Sequence, residues 1–385
     1  MIPYGRQWIS PEDIQAVVDV LRSDWLTQGP TVPRFEEEVA KHCGAGHAVA
    51  VNSATSALHV AALALGLGPG DILWTSPNTF VASANCALYC GAEVDFVDID
   101  PTTYNLSVSA LQQKLAEAKQ NNRLPKIVVP VHFAGQSCDM QAIHALGQHY
   151  GFSIIEDASH AIGGHYQNAA IGSGLYSDLT IFSFHPVKII TSAEGGMILT
   201  NNAETADLLR RLRSHGITRD AAHMNEESHG PWYYQQIELG YNFRMTDLQA
   251  ALGVSQLQHL SEFIEQRRQL AARYDRELAG LPLTTPWQAP HTASAWHLYV
   301  VRLHLSAIAK SRQQVFEALR SAGIGVQVHY IPVHLQPYYQ RRGFAVGAFP
   351  EAERYYQEAL SLPLFPALTA DQHSYVIQQL RQILS

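Results

Sequence analysis

The 385-residue sequence lacks the features that mark membrane, secreted and nucleic-acid-binding proteins. No apolar run approaches the roughly eighteen residues that a membrane span needs, and the N-terminus has no secretion-signal pattern. The four cysteines form no C-x-x-C pair, which predicts buried free thiols in a reducing compartment. The net charge is -8, and there is no run of Lys or Arg. We therefore expect a cytoplasmic protein that binds neither a membrane nor nucleic acid.

Several catalytic motifs are also missing. The sequence contains neither H-E-x-x-H nor G-x-S-x-G, the motifs of zinc proteases and α/β-hydrolases. Among the 19 histidines, His223 and His229 lie in a polar stretch where solvated side chains are expected. Gly44-Ala45-Gly46 precedes a predicted strand instead of following one, so it is not a dinucleotide fingerprint. The sequence thus predicts no metal site and no dinucleotide site.

The first half of the sequence alternates short apolar segments with helical ones. The predicted strands are residues 48–51, 72–75, 94–97, 127–131 and 153–155, and the predicted helices between and after them are residues 56–65, 79–89, 108–118 and 140–150. This alternation is typical of βαβ units and a parallel sheet. Two further apolar runs, 179–182 and 197–199, have no full helix between them, so we expect an antiparallel strand to join the sheet.

The last third of the sequence has a different pattern. Long helices are predicted before it, and it continues with strands at 298–303 and 326–329 and helices at 312–322, 352–361 and 370–384. This order indicates a smaller α+β domain. We predict a large domain of residues 1–255 and a small C-terminal domain of residues 256–385.

Polar residues follow the predicted strands at the edge where parallel sheets bind ligands. Residues 52–57, Asn-Ser-Ala-Thr-Ser-Ala, open a helix whose first N–H groups could bind a phosphate or could simply be capped by a hydroxyl. Asp157 ends the fifth predicted strand, and a buried carboxylate needs a cationic or hydrogen-bonding partner. Ser183 follows the next strand.

Lys188 lies between the apolar runs 179–182 and 197–199. By position alone, its ammonium could reach water along its apolar stem or serve a specific function. The neighbouring features favour a function, because a phosphate site, a strand-end Asp and a Lys are what pyridoxal 5'-phosphate (PLP) requires. The lysine amine binds the cofactor aldehyde and moves protons, and Asp157 keeps the pyridine nitrogen protonated.

Hydroxyl groups and one aromatic ring complete this hypothesis. Thr55, Ser56 and Ser183 could bind the phosphate of the cofactor. Phe80 could stack on the cofactor ring or could equally be a core residue.

Five segments resemble the sugar-nucleotide aminotransferases of the DegT group, which have the aspartate-aminotransferase-like fold. They are residues 26–30 (LTQGP), 52–58 (NSATSAL), 156–161 (EDASHA), 183–188 (SFHPVK) and 240–245 (GYNFRM). Together they span most of the chain. The resemblance implies an α/β protein of PLP fold type I, with a mainly parallel sheet, flanking helices and a smaller C-terminal α+β domain.

The resemblance also implies a role for each cofactor-site residue. Lys188 would carry PLP, Asp157 would pair with the pyridine nitrogen, and Phe80 would stack on the ring. The other implied cofactor ligands are Ala54, Thr55, His160, Ser183 and, from the neighbouring subunit, Asn242. A homodimer with shared active sites follows from this last assignment.

Within the family, the sequence most resembles the C4 aminotransferases of pseudaminic acid biosynthesis. Residues 26–29, 214–219 and 327–330 carry this likeness. It implies transfer of an amino group from glutamate to C4 of a UDP-linked 4-keto-6-deoxy-N-acetylhexosamine, while other relatives aminate C3 or C4 of other sugars. The implied substrate-site residues are Tyr4, Trp25, Leu26, Thr27, His329 and Tyr330. The aromatic members of this set could alternatively pack where the two domains meet.

Two other functions on the same fold agree less well with the sequence. A related class of PLP enzymes dehydrates sugars at C3, but the family comparison implies a histidine in place of Lys188 in that class. A non-catalytic regulator would carry an added DNA-binding domain, and no basic patch or extension of that kind is visible. We therefore expect an aminotransferase.

Overall fold

The structure is a computed structural model that describes residues 1–384. The strands are β1 (His47–Val51), β2 (Ile72–Thr75), β3 (Glu93–Phe96), β4 (Ile127–Val129), β5 (Ser153–Asp157), β6 (His165–Tyr166), β7 (Ala169–Ala170), β8 (Leu179–Ser183), β9 (Gly196–Thr200), β10 (Ile217–Thr218), β11 (Gln235–Gln236), β12 (Leu283–Thr284), β13 (Thr292–Ala293), β14 (Tyr299–Leu303) and β15 (Ala359–Leu362). The helices are α1 (Pro11–Arg22), α2 (Thr31–Cys43), α3 (Ala54–Ala64), α4 (Ala82–Tyr89), α5 (Val108–Gln120), α6 (Met140–Tyr150), α7 (Ala203–Leu212), α8 (Asp247–Gln258), α9 (Leu260–Glu277), α10 (Arg312–Ser321), α11 (Pro337–Gln340), α12 (Pro350–Glu358) and α13 (Ala370–Leu384).

A seven-stranded sheet of order β1-β9-β8-β5-β4-β2-β3 forms the centre of the molecule. Strands β2, β3, β4, β5 and β8 pair in parallel, whereas β9 is antiparallel to both β8 and β1. The predicted α/β class, with a mainly parallel sheet and an antiparallel strand, is confirmed.

Helices cover both faces of this sheet. Alternate strand residues such as Val49, Ile155 and Ile181 pack with α3, α4 and α7, while Ala50 and Phe182 pack on the other face with α2 and α8. Because both faces are buried, the strands are apolar at nearly every position. That pattern is what made them recognisable in the sequence.

The C-terminal region contains a three-stranded antiparallel sheet of order β12-β14-β15. Two sequence predictions fail here. Residues 326–329 are not a strand and contribute only an isolated bridge between Gln327 and Ser361. The helix predicted for 352–361 ends at Glu358, because the next four residues are all buried and pair with β14. Tertiary packing overrides helix propensity at this point.

Helix α9 contributes to two hydrophobic cores. Phe263 and Ile264, near its start, pack in the core beneath the central sheet, whereas Ala271, Tyr274 and Leu278 pack in the C-terminal core. The helix therefore crosses from one core to the other between Ile264 and Ala271. The division into domains of residues 1–255 and 256–385 stays a prediction, and we keep it as a proposal.

The four cysteines, Cys43, Cys86, Cys90 and Cys138, are free and buried, as their spacing predicts. No helix within residues 1–384 is both long enough and apolar enough to cross a membrane. Over the same range, His, Cys, Asp and Glu side chains form no group of three that could hold a metal ion.

Strand β5 places adjacent carboxylates on opposite faces of the sheet. Glu156 is buried and faces away from Asp157, and its Oε2 accepts a hydrogen bond of 2.6 Å from Nε2 of the buried His132. Nδ1 of His132 accepts the N–H of Cys138 at 3.1 Å, which fixes the imidazole proton on Nε2. The hydroxyl of Ser177 also donates to Glu156. This network holds the strand that carries Asp157.

We predict that His132→Ala lowers the free energy of unfolding by about 3–5 kcal/mol, because it leaves the Glu156 carboxylate buried without its main partner. Urea unfolding followed by circular dichroism measures the change. His149→Ala, at an exposed position of α6, is the control and should shift stability by no more than about 0.5 kcal/mol. Equal stability of the two variants would contradict the prediction.

Candidate active site

The carboxyl ends of β5 and β8 open into a cavity of about 480 Å³. This is the edge at which parallel sheets bind ligands. The predicted site residues that line it are Tyr4, Ala54, Thr55, Phe80, Asp157, His160, Ser183, Lys188, His329 and Tyr330. Residues from distant parts of the sequence therefore meet around one lysine.

Lys188 lies in the turn after β8, where its N–H donates to the carbonyl of His185 at 2.9 Å. Its side chain lines the cavity, and Nζ has no hydrogen-bond or ion-pair partner within residues 1–384. Burial lowers the pKa of the amine to about 8, against an opposing effect from the negative charge of Asp157. Near neutral pH, a useful fraction of this amine is therefore unprotonated and nucleophilic.

Asp157 ends β5 and is 5 % exposed. Its Oδ2 accepts from the hydroxyl of Ser83 at 2.6 Å, and its Oδ1 accepts from the N–H of Ser159 at 3.1 Å. Ser83 is in turn hydrogen-bonded to Thr79, with 2.8 Å between the hydroxyl oxygens. These bonds fix the orientation of the carboxylate while it still lines the cavity. No sequence pattern indicates Ser83, since it is 74 positions away from its partner.

The start of α3 forms a cradle of backbone N–H groups. The helix begins at Ala54, two residues earlier than predicted, and Ser53 caps it by accepting the N–H of Ser56 at 3.1 Å. Ala54 and Thr55 in the first turn line the cavity, where helix N–H groups favour an anion such as a phosphate. Ser56 does not line the cavity, and its hydroxyl donates to the side chain of Asn52 at 2.7 Å.

Gly196, the first residue of β9, packs directly beneath this cradle. A Cβ atom at this position would lie 2.6 Å from the carbonyl carbon of Ser53 and 2.7 Å from the nitrogen of Ala54. Gly196 also pairs with Ser183 across the antiparallel ladder. Because glycine has no side chain, the N-terminus of α3 and the hydroxyl of Ser183 can both approach this space.

His160 and Tyr330 form a hydrogen-bonded pair in the cavity wall. Nδ1 of His160 accepts the N–H of Ala134 at 3.3 Å, and its Nε2 lies 3.1 Å from the hydroxyl of Tyr330. Burial lowers the pKa of His160 well below its ordinary value, and the positive charge of Lys188 acts in the same direction. The imidazole is therefore neutral, with its proton on Nε2, and it donates to Tyr330.

His329 and Tyr4 line the cavity from the side of the C-terminal region. Burial lowers the pKa of His329 to about 3, so this imidazole is also neutral. Its Nδ1 lies 2.8 Å from the hydroxyl of Ser361, and its ring centroid is 5.3 Å from that of Tyr4. The first residues of the chain are thus held beside the cavity.

Phe80 is not a core residue, because 59 % of it is exposed. Its ring lines the cavity, with its centroid 6.4 Å from that of Tyr330. The core interpretation of Phe80 is wrong, and one of its faces is available to stack on a ligand ring.

Four predicted site residues lie outside the cavity of this chain: Trp25, Leu26, Thr27 and Asn242. All four are exposed, Trp25 by 55 %. The loop after α1 is held to the start of α8, where the N–H of Asp247 donates to the carbonyl of Leu26 at 3.0 Å. Within one chain, these residues do not contribute to the site around Lys188.

Five residues that line the cavity have no assigned role in the sequence analysis. Ser53, Ser159 and His185 lie within the family motifs, whereas Glu194 and His297 lie outside them. His297 precedes β14, far along the sequence from the sheet, and only the tertiary structure places it beside His160. No periodicity or motif indicates this contact.

A model of the DegT/DnrJ/EryC1/StrS aminotransferase family matches residues 7–381. The chain belongs to this family. SpsC, a spore coat polysaccharide biosynthesis protein of Bacillus subtilis, is 42 % identical over the whole chain and 97 % of its own length. The resemblance inferred from the sequence motifs is confirmed.

Solved structures of the family superimpose over the whole chain. PseC of Helicobacter pylori, an aminotransferase involved in the biosynthesis of pseudoaminic acid, has a TM-score of 0.91 at 31 % identity, covering 100 % of this chain and 99 % of PseC. Spr1654 of Streptococcus pneumoniae, a putative sugar aminotransferase in its PMP form, has a TM-score of 0.90 at 29 % identity, with the same coverage. The chain has PLP fold type I and is a PLP-dependent sugar aminotransferase.

The cavity fits this cofactor. Lys188 has an amine without a partner, Asp157 is an oriented carboxylate, and the start of α3 is an anion-binding cradle that a side chain at Gly196 would fill. When bound, PLP supplies an electron sink for the carbanion that forms on proton loss. Lys188, Asp157 and the start of α3 would hold the cofactor; Asp157 would keep its pyridine nitrogen charged, and the amine of Lys188 would move the proton.

After removal of the cofactor, we predict that acetylation of Lys188 by acetic anhydride accelerates with pH, is half-maximal near pH 8 and levels off above that pH. The reason is that only the unprotonated amine reacts, and burial lowers the pKa of Lys188 to about 8. Peptide mapping by mass spectrometry after short exposures measures the rate. Exposed lysines of the same sample are the internal control, because an ordinary lysine titrates near about 10.4. A rate for Lys188 that follows the exposed lysines would contradict the prediction.

Proposed function

We propose that this enzyme transfers an amino group from glutamate to C4 of a UDP-linked 4-keto-6-deoxy-N-acetylhexosamine, as in pseudaminic acid biosynthesis. The observation that carries the proposal is the match to PseC along the whole chain, with a TM-score of 0.91. The cavity around Lys188, with His329 and Tyr330 in its wall, is compatible with such a substrate. We also propose that the enzyme acts in the cytoplasm.

Amination of another 3- or 4-keto sugar nucleotide is the second candidate. It is favoured by the identity of 42 % to SpsC, which exceeds the 31 % identity to PseC. Sugar specificity depends on few side chains, so similarity along the whole chain supports the reaction type more strongly than the sugar. Both candidates use the same chemistry at Lys188.

The two half-reactions place the same demands on the residues of this chain. Glutamate leaves its nitrogen in the site and departs as 2-oxoglutarate, and the keto sugar then takes up that nitrogen. In each direction, Nζ of Lys188 accepts a proton from one carbon atom and returns it to another. The buried carboxylate of Asp157 stabilises positive charge at the pyridine nitrogen throughout. Ping-pong kinetics are expected.

A panel assay tests the substrate. We expect the purified enzyme with glutamate to aminate UDP-linked 4-keto-6-deoxy-N-acetylhexosamine in preference to other 3- and 4-keto sugar nucleotides, with products identified by mass spectrometry. Lys188→Ala is the matched control, and it should lose turnover together with the visible absorbance of lysine-bound cofactor. Amination of 3-keto sugars alone would overturn the proposed substrate. Normal turnover by Lys188→Ala would overturn the mechanism.

We propose further that the active enzyme is a homodimer with shared sites. The support is that Trp25, Leu26, Thr27 and Asn242 resemble site residues of the family but lie outside the Lys188 cavity of their own chain. Large apolar side chains are exposed in the region that precedes Asn242, with Trp232 at 72 %. A second copy of the chain would cover such side chains.

Mixing two inactive variants tests the shared site. Asn242→Asp would bring a carboxylate to the cofactor phosphate of the neighbouring subunit and should be inactive, as should Lys188→Ala. Exchange of subunits between them should restore about a quarter of wild-type activity, because half of the dimers are mixed and each has one complete site of two. Each variant treated alone is the control. If the mixture stays inactive although mass spectrometry shows mixed dimers, Asn242 acts within its own chain.

A further inference from the structure

His297 lines the cavity without belonging to any site motif of the sequence. It is 5 % exposed, and its ring centroid is 4.4 Å from that of His160. Its Nδ1 is buried and has no partner among the described residues. A polar ring is thus held in the cavity wall without a hydrogen bond that would explain it.

The backbone, and not the ring, fixes the position of His297. Its N–H donates to the carbonyl of Ala134 at 2.9 Å, and its carbonyl accepts from Nη1 of Arg267 at 3.2 Å. Arg267 is 1 % exposed and also donates to the carbonyls of Trp296 and Leu364. These bonds hold residue 297 whatever its side chain is, so the imidazole is free to serve a ligand.

The proton of this imidazole lies on the nitrogen that faces the cavity. Burial lowers the pKa of His297 well below its ordinary value, so the ring is neutral and carries one proton. A buried N–H without an acceptor is rarer in proteins than a buried lone pair without a donor. Nδ1 is therefore the unprotonated nitrogen, and Nε2–H is the donor that remains for the cavity.

The cavity has to accept two chemically different substrates. Glutamate brings carboxylates to the reacting end of the cavity, whereas the hexose ring of the UDP-sugar brings hydroxyl and carbonyl oxygens without charge. None of the described residues that line the cavity is an arginine, and the amine of Lys188 is committed to the chemistry. An arginine would be a buried unpaired charge whenever the sugar occupied the cavity. A neutral N–H donor suits both substrates.

We propose that His297 is a substrate-binding residue whose Nε2–H donates to a carboxylate oxygen of the amino donor in one half-reaction and to a sugar oxygen in the other. The inference rests on the proposed use of glutamate and a keto sugar. Among the residues of this chain that line the cavity, the proposal assigns recognition of the carboxylate to an uncharged group.

Three variants separate this role from a structural one. His297→Phe fills the space and removes both ring nitrogens. His297→Gln keeps an N–H donor at about the distance of Nε2 from the backbone. The amide of His297→Asn extends only about as far as Nδ1. All three keep the backbone bonds to Ala134 and Arg267. Visible absorbance and thermal unfolding of each holoenzyme establish that cofactor and fold are retained.

Calorimetric binding of glutarate, an unreactive dicarboxylate, to the holoenzymes is the primary measurement. We expect His297→Phe and His297→Asn to bind it about ten- to a hundredfold more weakly than wild type, the range for a lost hydrogen bond to a charged group. His297→Gln should bind within about threefold of wild type, since its donor is retained. In steady state, KM for glutamate should rise in the Phe variant with a smaller effect on kcat.

Equal glutarate affinities of wild type, Gln and Asn variants would overturn the inference, as would a wild-type holoenzyme that does not bind glutarate. If the Phe variant loses its fold or cofactor, the glutarate affinities of the Gln and Asn variants still test the proposal. Failure of wild type to aminate any keto sugar with glutamate would instead overturn the proposed function, and the glutarate measurement does not depend on that result.

Discussion

Burial of the Lys188 amine is the constraint on which the rest of the site depends. The cavity lowers the pKa of this amine to about 8, which makes it reactive, but the same burial penalises every other charge nearby. The neighbouring groups meet this constraint in two ways. Asp157 keeps its charge because hydroxyl and N–H donors satisfy it, whereas His160 and His329 give up theirs and remain neutral. Reactivity and the neutrality of the cavity wall thus have one physical cause.

Strand β5 connects this chemistry to the stability of the fold. Asp157 faces the cavity, and the preceding Glu156 faces a buried network with His132 on the other side of the sheet. The alternation of side chains along a strand lets two adjacent carboxylates serve different purposes. Gly196 on β9 adds a steric requirement, because it lets the start of α3 approach the same edge. The position of the cradle relative to Ser183, at the end of β8, therefore follows from strand pairing.

Much of this arrangement could be predicted from the sequence. The strands of the central sheet are buried on both faces, so their apolar runs were clear, and the residues at their carboxyl ends gave Asp157, Thr55 and Lys188. Residues 326–329 and β15 were mispredicted, because their structure depends on pairing with distant segments. Ser83 and His297 could not be found for the same reason, since each meets its partner only in the tertiary structure. Local sequence patterns identify the residues at the end of a strand. They do not identify the distant residues that pack against those strand ends.

The cavity wall that we propose to bind the substrates contains His160 and Tyr330, which the sequence motifs indicate, and His297, which no motif indicates. As proposed cofactor ligands, Lys188, Asp157 and the start of α3 would serve any reaction that uses this cofactor. His160, His297 and Tyr330 lie outside the helices and strands. They come from three separate loops that meet in the cavity wall. Such loops can change without disturbing β5 or β9. Specificity for the amino donor and the sugar can therefore vary while the lysine, the carboxylate and the cradle stay fixed, because the two sets of residues depend on different parts of the fold.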